Sequence, residues 1–346
     1  MPDPSAPRVA GHPMPALLGE GQDPELVAWR KRLPASVDEL LARWELEASA
    51  PFVPGGSSAW VAPVRDRDGV ELVLKVAWAH EEARDEAAGM RAWQGRGAAV
   101  LHRSERVGDT SALLLERVRP GEPLAQLLTR PERDEVLVGV ARRLWVPPAR
   151  LVGEEDAASF RPLAHMCAWW ADHALESGAG ERAGLPREVV GRGLELFRSL
   201  PAQWDGEEVL LATDLHPGNV LAGETCGSGA LTGAALEGTA LAGDVLTGGA
   251  RAGEVPSSSV GSSRRWVLID PKPYVGDPHY DLLQHMLNDL HRLRAEPGRF
   301  ADRMADLAGL DRHRTRRWLF ARCVQEAGEF DGVAEVAMSL AADGGL

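Results

Sequence analysis

Apolar residues recur along this chain in two periods, a helical one near its start and over most of its second half, and a period of two between them. Between Asp23 and about Ala50 they fall at helical spacing, with Val37, Leu40, Leu41 and Trp44 on one face, predicting a packing helix interrupted at Pro34. The period then switches to two. Val70, Leu72, Leu74 and Val76 alternate with Glu71, Val73 and Lys75, the pattern of a half-buried strand. A helical stripe of Ala83, Ala87 and Met90 follows, over about Glu81 to Trp93. Ala112–Val118 then reads as a buried strand, broken by Arg119-Pro-Gly-Glu-Pro123. From Leu124 on, helical spacing dominates: Leu124–Leu144, His165–Leu175, Arg187–Leu200, Phe300–Leu307 and Asp311–Gly332. Trp169 and Trp170 sit on one of these stripes as expected core residues. Asp277 and Pro278 form a helix start, ahead of a broad apolar face of Leu282, Leu283, Met286, Leu287 and Leu290.

Two stretches lack either period. Residues 1–22 are rich in Pro and Gly and read as a loose tail. Ala222–Arg265 is Gly-rich with a Ser-rich end; Leu231, Leu236, Leu241 and Leu246 recur every five residues, each with Gly two places later. Four such units bury too little apolar area to stand as a solenoid. A low-complexity, mostly disordered insertion is expected, the alternative being a short repeat coil docked elsewhere. The implied organisation is a tail over 1–22, a small lobe over 23–118, a hinge over 119–123, and a helical lobe over 124–346 that carries the 222–265 insertion.

Composition narrows the function classes. At 346 residues, 44% hydrophobic and 26% charged, the chain is long enough for two lobes of ordinary globular make-up. No apolar run approaches the roughly 18 residues of a membrane span, and Met1-Pro-Asp-Pro-Ser lacks the build of a signal peptide, so a cytoplasmic protein is expected. Cys167, Cys226 and Cys323 are scattered, which indicates neither a disulfide framework nor a zinc site. A net charge of −13 argues against nucleic acid or an acidic membrane as partner and is compatible with a cationic ligand. No protein partner is implied. Basic residues are nearly all Arg; Lys occurs only at Lys31, Lys75 and Lys272, the last two inside candidate motifs.

The candidate chemistry centres on Asp214-Leu-His-Pro-Gly-Asn219 and Val267-Leu-Ile-Asp-Pro-Lys272. An Asp, an Asn five residues later and an Asp closing a later buried strand are the parts of a kinase catalytic centre. Asp214 would accept or orient the proton of an attacking hydroxyl, while Asn219 and Asp270 would hold Mg2+ against nucleotide phosphates. The turn-forming residues of the first motif fit an Asx-type turn equally well; order along the chain favours the catalytic reading. Upstream, Gly55, Gly56, Ser57 and Ser58 suit a flexible cover over phosphates. Lys75 would reach the α- and β-phosphates, held by Glu86, with Glu82 as the rival partner. The strand end and break around Glu116 and Val118 suit a hinge whose backbone meets the adenine edge of ATP. Asp281 is expected to accept catalytic-loop N–H groups, and His279 and His285 to be satisfied helix histidines rather than metal ligands.

With these pieces in order the chain resembles an aminoglycoside phosphotransferase, and more narrowly the aminoglycoside/hydroxyurea kinase family that includes streptomycin 6-kinases. The resemblance covers roughly residues 24–335 apart from the insertion. It rests on Pro54-Gly-Gly-Ser-Ser58, Leu74-Lys-Val76, His80–Ala87, Leu113–Arg117, Asp214–Asn219, Ile269-Asp-Pro-Lys272 and Gly276–Asp281. It implies an α+β, protein-kinase-like two-lobe fold, with a small antiparallel-sheet N-lobe and a larger, mostly helical C-lobe. It also implies MgATP-dependent phosphorylation of a hydroxyl on a small polar molecule, most simply a cationic aminoglycoside such as streptomycin. Asp214 is then the base, Asn219 and Asp270 the metal ligands, and Lys75 with Glu86 the phosphate anchor. One departure is Ala212-Thr213, where the family more often has His-Gly before the catalytic Asp; Thr213 could supply a replacement hydrogen bond. Asp289, Glu326, Glu329 and Asp331 are candidates for an acidic acceptor pocket. Rival readings are a kinase of hydroxyurea or another hydroxylated metabolite, and a catalytically silent nucleotide-binding pseudokinase.

Overall fold

In a computed structural model of the protein, residues 7–81, 83–224 and 264–342 are described. The smaller lobe opens with strands β1 (Arg8–Val9) and β2 (His12–Pro13) and helices α1 (Ala16–Glu20) and α2 (Pro24–Trp44). It continues with β3 (Leu46–Ala48), β4 (Ala59–Asp66), β5 (Glu71–Trp78), α3 (Glu86–Trp93), β6 (Leu101–Val107) and β7 (Thr110–Glu116). Strands β3 to β7 form one antiparallel sheet in the order β3-β4-β5-β7-β6. Strand alternation sorts its side chains. Leu72, Leu74 and Val76 pack with Trp29, Leu33, Val37 and Leu40 of α2, while Val73, Leu113 and Leu115 pack with Met90 of α3 on the other face. Lys75, opposite Leu113 in the β5–β7 register, therefore points to the α3 side.

Two expectations for this lobe are corrected. The helix before the sheet is continuous through Pro34. A proline withholds one N–H, and here the buried stripe Trp29-Leu33-Val37-Leu40 runs unbroken on both sides of it. The loose tail expected over 1–22 is instead folded from residue 7 on. Val9 and Leu18 are wholly buried in the α2 cluster, and the Arg30 guanidinium donates to the carbonyls of Leu18 (2.7 Å) and Gly21 (3.1 Å) at the end of α1.

The chain leaves the sheet through β8 (Pro120–Pro123) into α4 (Leu124–Leu127), α5 (Arg130–Leu144), α6 (Pro148–Val152) and α7 (Glu154–Ala157). Helices α8 (Leu163–Ser177), α9 (Ala179–Arg182) and α10 (Arg187–Ser199) follow, then β9 (Val209–Leu211), β10 (Val220–Glu224), β11 (Arg264–Leu268) and β12 (Tyr274–Gly276). A 3₁₀ turn over Pro278–Leu282 leads into α11 (Leu283–Leu287), α12 (Leu290–Ala295), α13 (Pro297–Ala308), α14 (Arg312–Gln325) and α15 (Val333–Ala342). The larger core gathers Phe197, Met286, Phe300, Trp318 and Phe320 from these helices. Trp169 is 46% exposed, unlike the core residue expected, whereas Trp170 packs against the core.

Strand β10 joins the lobes' connection to the Asp214–Asn219 segment: it pairs antiparallel with β11 on one side and β8 on the other. Residues 222–224 and 264–265, expected inside the insertion, belong to these paired strands; the rest of that expected insertion, 225–263, lies outside the described residues. The Glu224 amide donates to the Arg119 carbonyl at 2.8 Å, so the chain departs from β10 beside the hinge. Among the described residues no helix is long and apolar enough to cross a membrane.

Because Leu18 is a core side chain rather than part of a tail, Leu18→Ala should cost about 2–5 kcal/mol. Urea denaturation measures it; a change below about 0.5 kcal/mol would mean that α1 does not contribute to the core.

Candidate active site

The site is built where β5, α3, and the loops after β9 and β11 converge. Lys75 is 7% exposed on β5 and Glu86 3% exposed in the first turn of α3. The Lys75 ammonium donates to both Glu86 oxygens, at 2.8 and 2.7 Å, and to Asp270 Oδ1 at 2.5 Å. Burial works against a charged lysine, but the Asp270 and Glu86 carboxylates outweigh it and hold Lys75 above its ordinary value. One ammonium is thus shared by two carboxylates. Asp270 is held low by Lys75, whereas burial pushes Glu86 up to about 7. Glu82, the rival partner, lies outside the described residues.

Helix α3 begins five residues later than its apolar stripe suggests, and Arg161 explains the difference. This residue precedes α8, where the Val275 amide donates to its carbonyl at 2.9 Å. Its guanidinium bonds Asp85 Oδ2 (2.5 Å), Glu81 Oε1 (2.6 Å) and the Glu81 carbonyl (3.0 Å), and lies 4.6 Å from the Tyr274 ring centre. Asp85 occupies the N-cap position of α3 without capping it; its carboxylate is engaged by Arg161. Farther along, a Cβ on Gly89 would come 2.3 Å from Pro273 Cγ, so only glycine permits this approach of α3 to the segment after Asp270. Trp93 Nε1 donates to the Leu144 carbonyl at 3.0 Å. Helix α3 is therefore tied to the larger lobe at its start, middle and end.

The catalytic-loop candidate follows β9. Asp281, fully buried, accepts from the amides of Ala212 (3.0 Å) and Thr213 (2.7 Å) and from Trp145 Nε1 (2.9 Å). Burial pushes its carboxyl up to about 6 even against these three donors, which favour the ionised form. Thr213 adopts a left-handed φ of 51°, a costly conformation for a β-branched residue. Besides the amide bond to Asp281, its hydroxyl donates to the Lys272 carbonyl at 2.6 Å, and the Lys272 amide donates to the Ala212 carbonyl at 2.8 Å. Thr213 thus fastens the loop just ahead of Asp214.

This stapling aligns the two motifs. The Ile269 amide donates to the Asn219 carbonyl at 2.8 Å, and Asn219 Nδ2 donates to the Asp214 carbonyl at 3.2 Å. Asp270 also takes a left-handed φ, 54°. Asp214 Oδ2 lies 3.2 Å from Lys272 Nζ, and Oδ1 lies 3.7 Å from His216 Nε2. Burial pushes the His216 imidazole below its ordinary value. With its amide nitrogen on the Asp214 carbonyl, Asn219 keeps its side-chain oxygen for another partner, and Asp270 supplies a carboxylate. An oxygen-only pair of this kind fits magnesium, which prefers oxygen ligands and takes one or two from protein beside water and phosphate. Among the described residues no group of three or more His, Cys, Asp or Glu side chains is arranged to hold a metal without such help.

The nucleotide-cover candidates Gly55, Gly56, Ser57 and Ser58 connect β3 to β4, with Gly55 at φ 83° against Pro15. Glu116 ends β7, its Oε2 2.9 Å from Arg265 Nη2 on β11, and Val118 is buried at the start of the hinge. The acidic pocket candidates are less convergent. Asp289 pairs with Arg130 at 3.3 Å and Glu326 with Arg322 at 2.6 Å, while Glu329 and Asp331 are exposed. His279 is satisfied as expected, bonding Asp277 (2.6 Å) and the Asp311 amide (3.1 Å), whereas His285 bonds Asp134 through Nε2 (2.7 Å) and its buried Nδ1 has no hydrogen-bond partner among the described residues. Sequence reasoning missed Arg161 and Trp145, for which no local pattern exists, and assigned nothing to Lys272, although its rarity was a signal.

A sequence profile described as aminoglycoside/hydroxyurea antibiotic resistance kinase matches residues 43–333. A hydroxyurea phosphotransferase of Kitasatospora aureofaciens is 33% identical over 298 residues, 85% of this chain and 72% of that protein. A streptomycin 6-kinase of Streptomyces glaucescens is 31% identical over 324 residues, 91% of this chain and 88% of that protein. Among solved structures, a Plasmodium vivax ethanolamine kinase aligns with a TM-score of 0.48 at 12% identity, over 94% of this chain and 89% of its own. A macrolide 2′-phosphotransferase of Brachybacterium faecium aligns with a TM-score of 0.42 at 17% identity, over 87% and 96%.

Removing the Arg161 clamp should loosen α3 without unfolding the protein. In Arg161→Ala, amide exchange in α3 should quicken by about tenfold, the loss of roughly 1–2 kcal/mol of hydrogen bonding to charged groups. Exchange in α3 at the wild-type rate would show the clamp to be dispensable.

Proposed function

The chain belongs to the aminoglycoside/hydroxyurea antibiotic resistance kinase family, and on that premise we propose that it transfers the γ-phosphate of ATP to a hydroxyl of an aminoglycoside, streptomycin being the first candidate. It has the two-lobe, kinase-like α+β architecture and is a small-molecule phosphotransferase. What carries the reading is the convergence of Lys75, the Asp214–Asn219 loop and Asp270 from three separate stretches of sequence.

Phosphoryl transfer asks for charge compensation on the phosphates and an in-line hydroxyl. Lys75, fixed by Glu86, would compensate the α- and β-phosphates. Asn219 and Asp270 would hold magnesium, which when bound neutralises charge on the terminal phosphates. Asp214 would orient the acceptor hydroxyl and take its proton. The Gly55–Ser58 turn would cover the phosphates, and the backbone at Glu116 and Val118 would meet the adenine. The charge of −13 supports a cationic acceptor by long-range attraction. Hydroxyurea is the second reading, favoured by the relative that is 33% identical. Retention of Lys75, Asp214, Asn219 and Asp270 together speaks against a silent pseudokinase, and Ala212 weakly for one.

ATP consumption with streptomycin, with hydroxyurea and with neither is the test. Consumption should require streptomycin and cease when EDTA removes magnesium. Asp214→Asn should lower turnover by roughly 10²–10⁴ while MgATP still binds. Full turnover in that variant would remove Asp214 from its role, and dependence on hydroxyurea alone would select the second acceptor.

A further inference from the structure

Lys272 is absent from the parts assigned above, yet it stands between two of them. Its backbone is held on both sides by the catalytic loop: the amide donates to Ala212 O at 2.8 Å and the carbonyl accepts from Thr213 Oγ1 at 2.6 Å. From this fixed base the side chain reaches to 3.2 Å of Asp214 Oδ2, and it remains one-third exposed (33%).

The position has a chemical meaning if the reading of the protein as a kinase holds, on which this inference rests. The acceptor hydroxyl belongs at Asp214 and the nucleotide phosphates at Lys75 and Asp270. The group in flight must cross between them, carrying negative charge spread over three equatorial oxygens. A fixed cation at that crossing acts where charge develops. Lys75 is committed to Glu86 and Asp270, and the catalytic loop Asp214–Asn219 contains no Lys or Arg. Among the described residues the cation-forming partners of Asp214 are His216 and Lys272, and of these only Lys272 is a permanent cation.

We propose that Lys272 is a further catalytic residue, whose ammonium hydrogen-bonds an equatorial oxygen of the transferring phosphoryl group while remaining beside Asp214. An ammonium carries three donors and so can serve more than one acceptor at once. In the step it assists, a lone pair of the acceptor oxygen forms the new bond to the γ-phosphorus. The bond from that phosphorus to the β,γ-bridging oxygen breaks, its electron pair leaving with ADP. The hydroxyl proton passes to the Asp214 carboxylate. Lys272 itself exchanges neither proton nor covalent bond; it lowers the energy of the charge distribution midway.

The test separates this role from that of a passive counter-ion to Asp214. MgADP binding is measured by calorimetry with and without fluoroaluminate, which mimics the phosphoryl group in transit and should strengthen wild-type binding by about 10²-fold or more. Lys272→Met should bind MgADP almost as the wild type does but lose most of that gain. Its turnover should fall by about 10²–10³, and Lys272→Arg should restore part of both. Should Lys272→Met fail to fold, Lys272→Gln serves in its place. A variant that keeps the fluoroaluminate gain, whether or not its turnover falls, overturns the proposal, as does a wild type that shows no gain. Failure of the kinase reading registers separately, as a wild type that binds MgATP but phosphorylates neither streptomycin nor hydroxyurea.

Discussion

A buried ammonium cannot remain without compensation, and the Lys75 charge organises this molecule around that fact. Its two carboxylate partners come from α3 and from the segment after β11, which are 184 residues apart as the difference between positions 270 and 86. Sheet, helix and catalytic segment must therefore meet at one nitrogen atom. The requirement explains why α3 is drawn against Pro273 at Gly89, where only a glycine fits. It also explains why Glu86 carries the penalty of burial while Asp270 is kept ionised. A magnesium ion entering at Asp270 and Asn219 would draw on a carboxylate already poised in its charged form.

A second buried charge, Asp281, fixes the other wall. By accepting two consecutive loop amides and the indole of Trp145, it anchors Ala212 and Thr213 from below. The left-handed conformations of Thr213 and Asp270 are held by surroundings that leave little alternative: the Asp281 carboxylate under one, and the Lys75 ammonium against the other. The site is thus defined from two buried charges outward, and Asp214, the proposed base, directly follows the residues that Asp281 holds.

Much of this was legible in the sequence because the relevant signals are local. Alternation over Val70–Val76 placed Lys75 on the face opposite Leu72, Leu74 and Val76, and the five-residue spacing of Asp214 and Asn219 marked the loop. Asp281 was readable as an acceptor from its place just past Asp277 and Pro278. What sequence could not yield depends on contacts between distant segments. Arg161 looks like any of the chain's many arginines until Asp85 and Glu81 are brought to it. The stretch around Val9 and Leu18 has a tail's composition and becomes core only because α2 and the sheet leave an apolar recess for it. Pro34 failed as a helix breaker since the buried stripe around it outweighs one missing hydrogen bond.

Helix α3 bears on how a cell governs such an activity. In protein kinases the Glu-bearing helix is the movable part, and its displacement separates the ion pair to silence the enzyme. Here Arg161, Pro273 and Trp93 hold that helix to the larger lobe along its whole length. A lever bolted at three points makes a poor switch. Displacing this helix so as to part Lys75 from Glu86 would first have to break all three contacts.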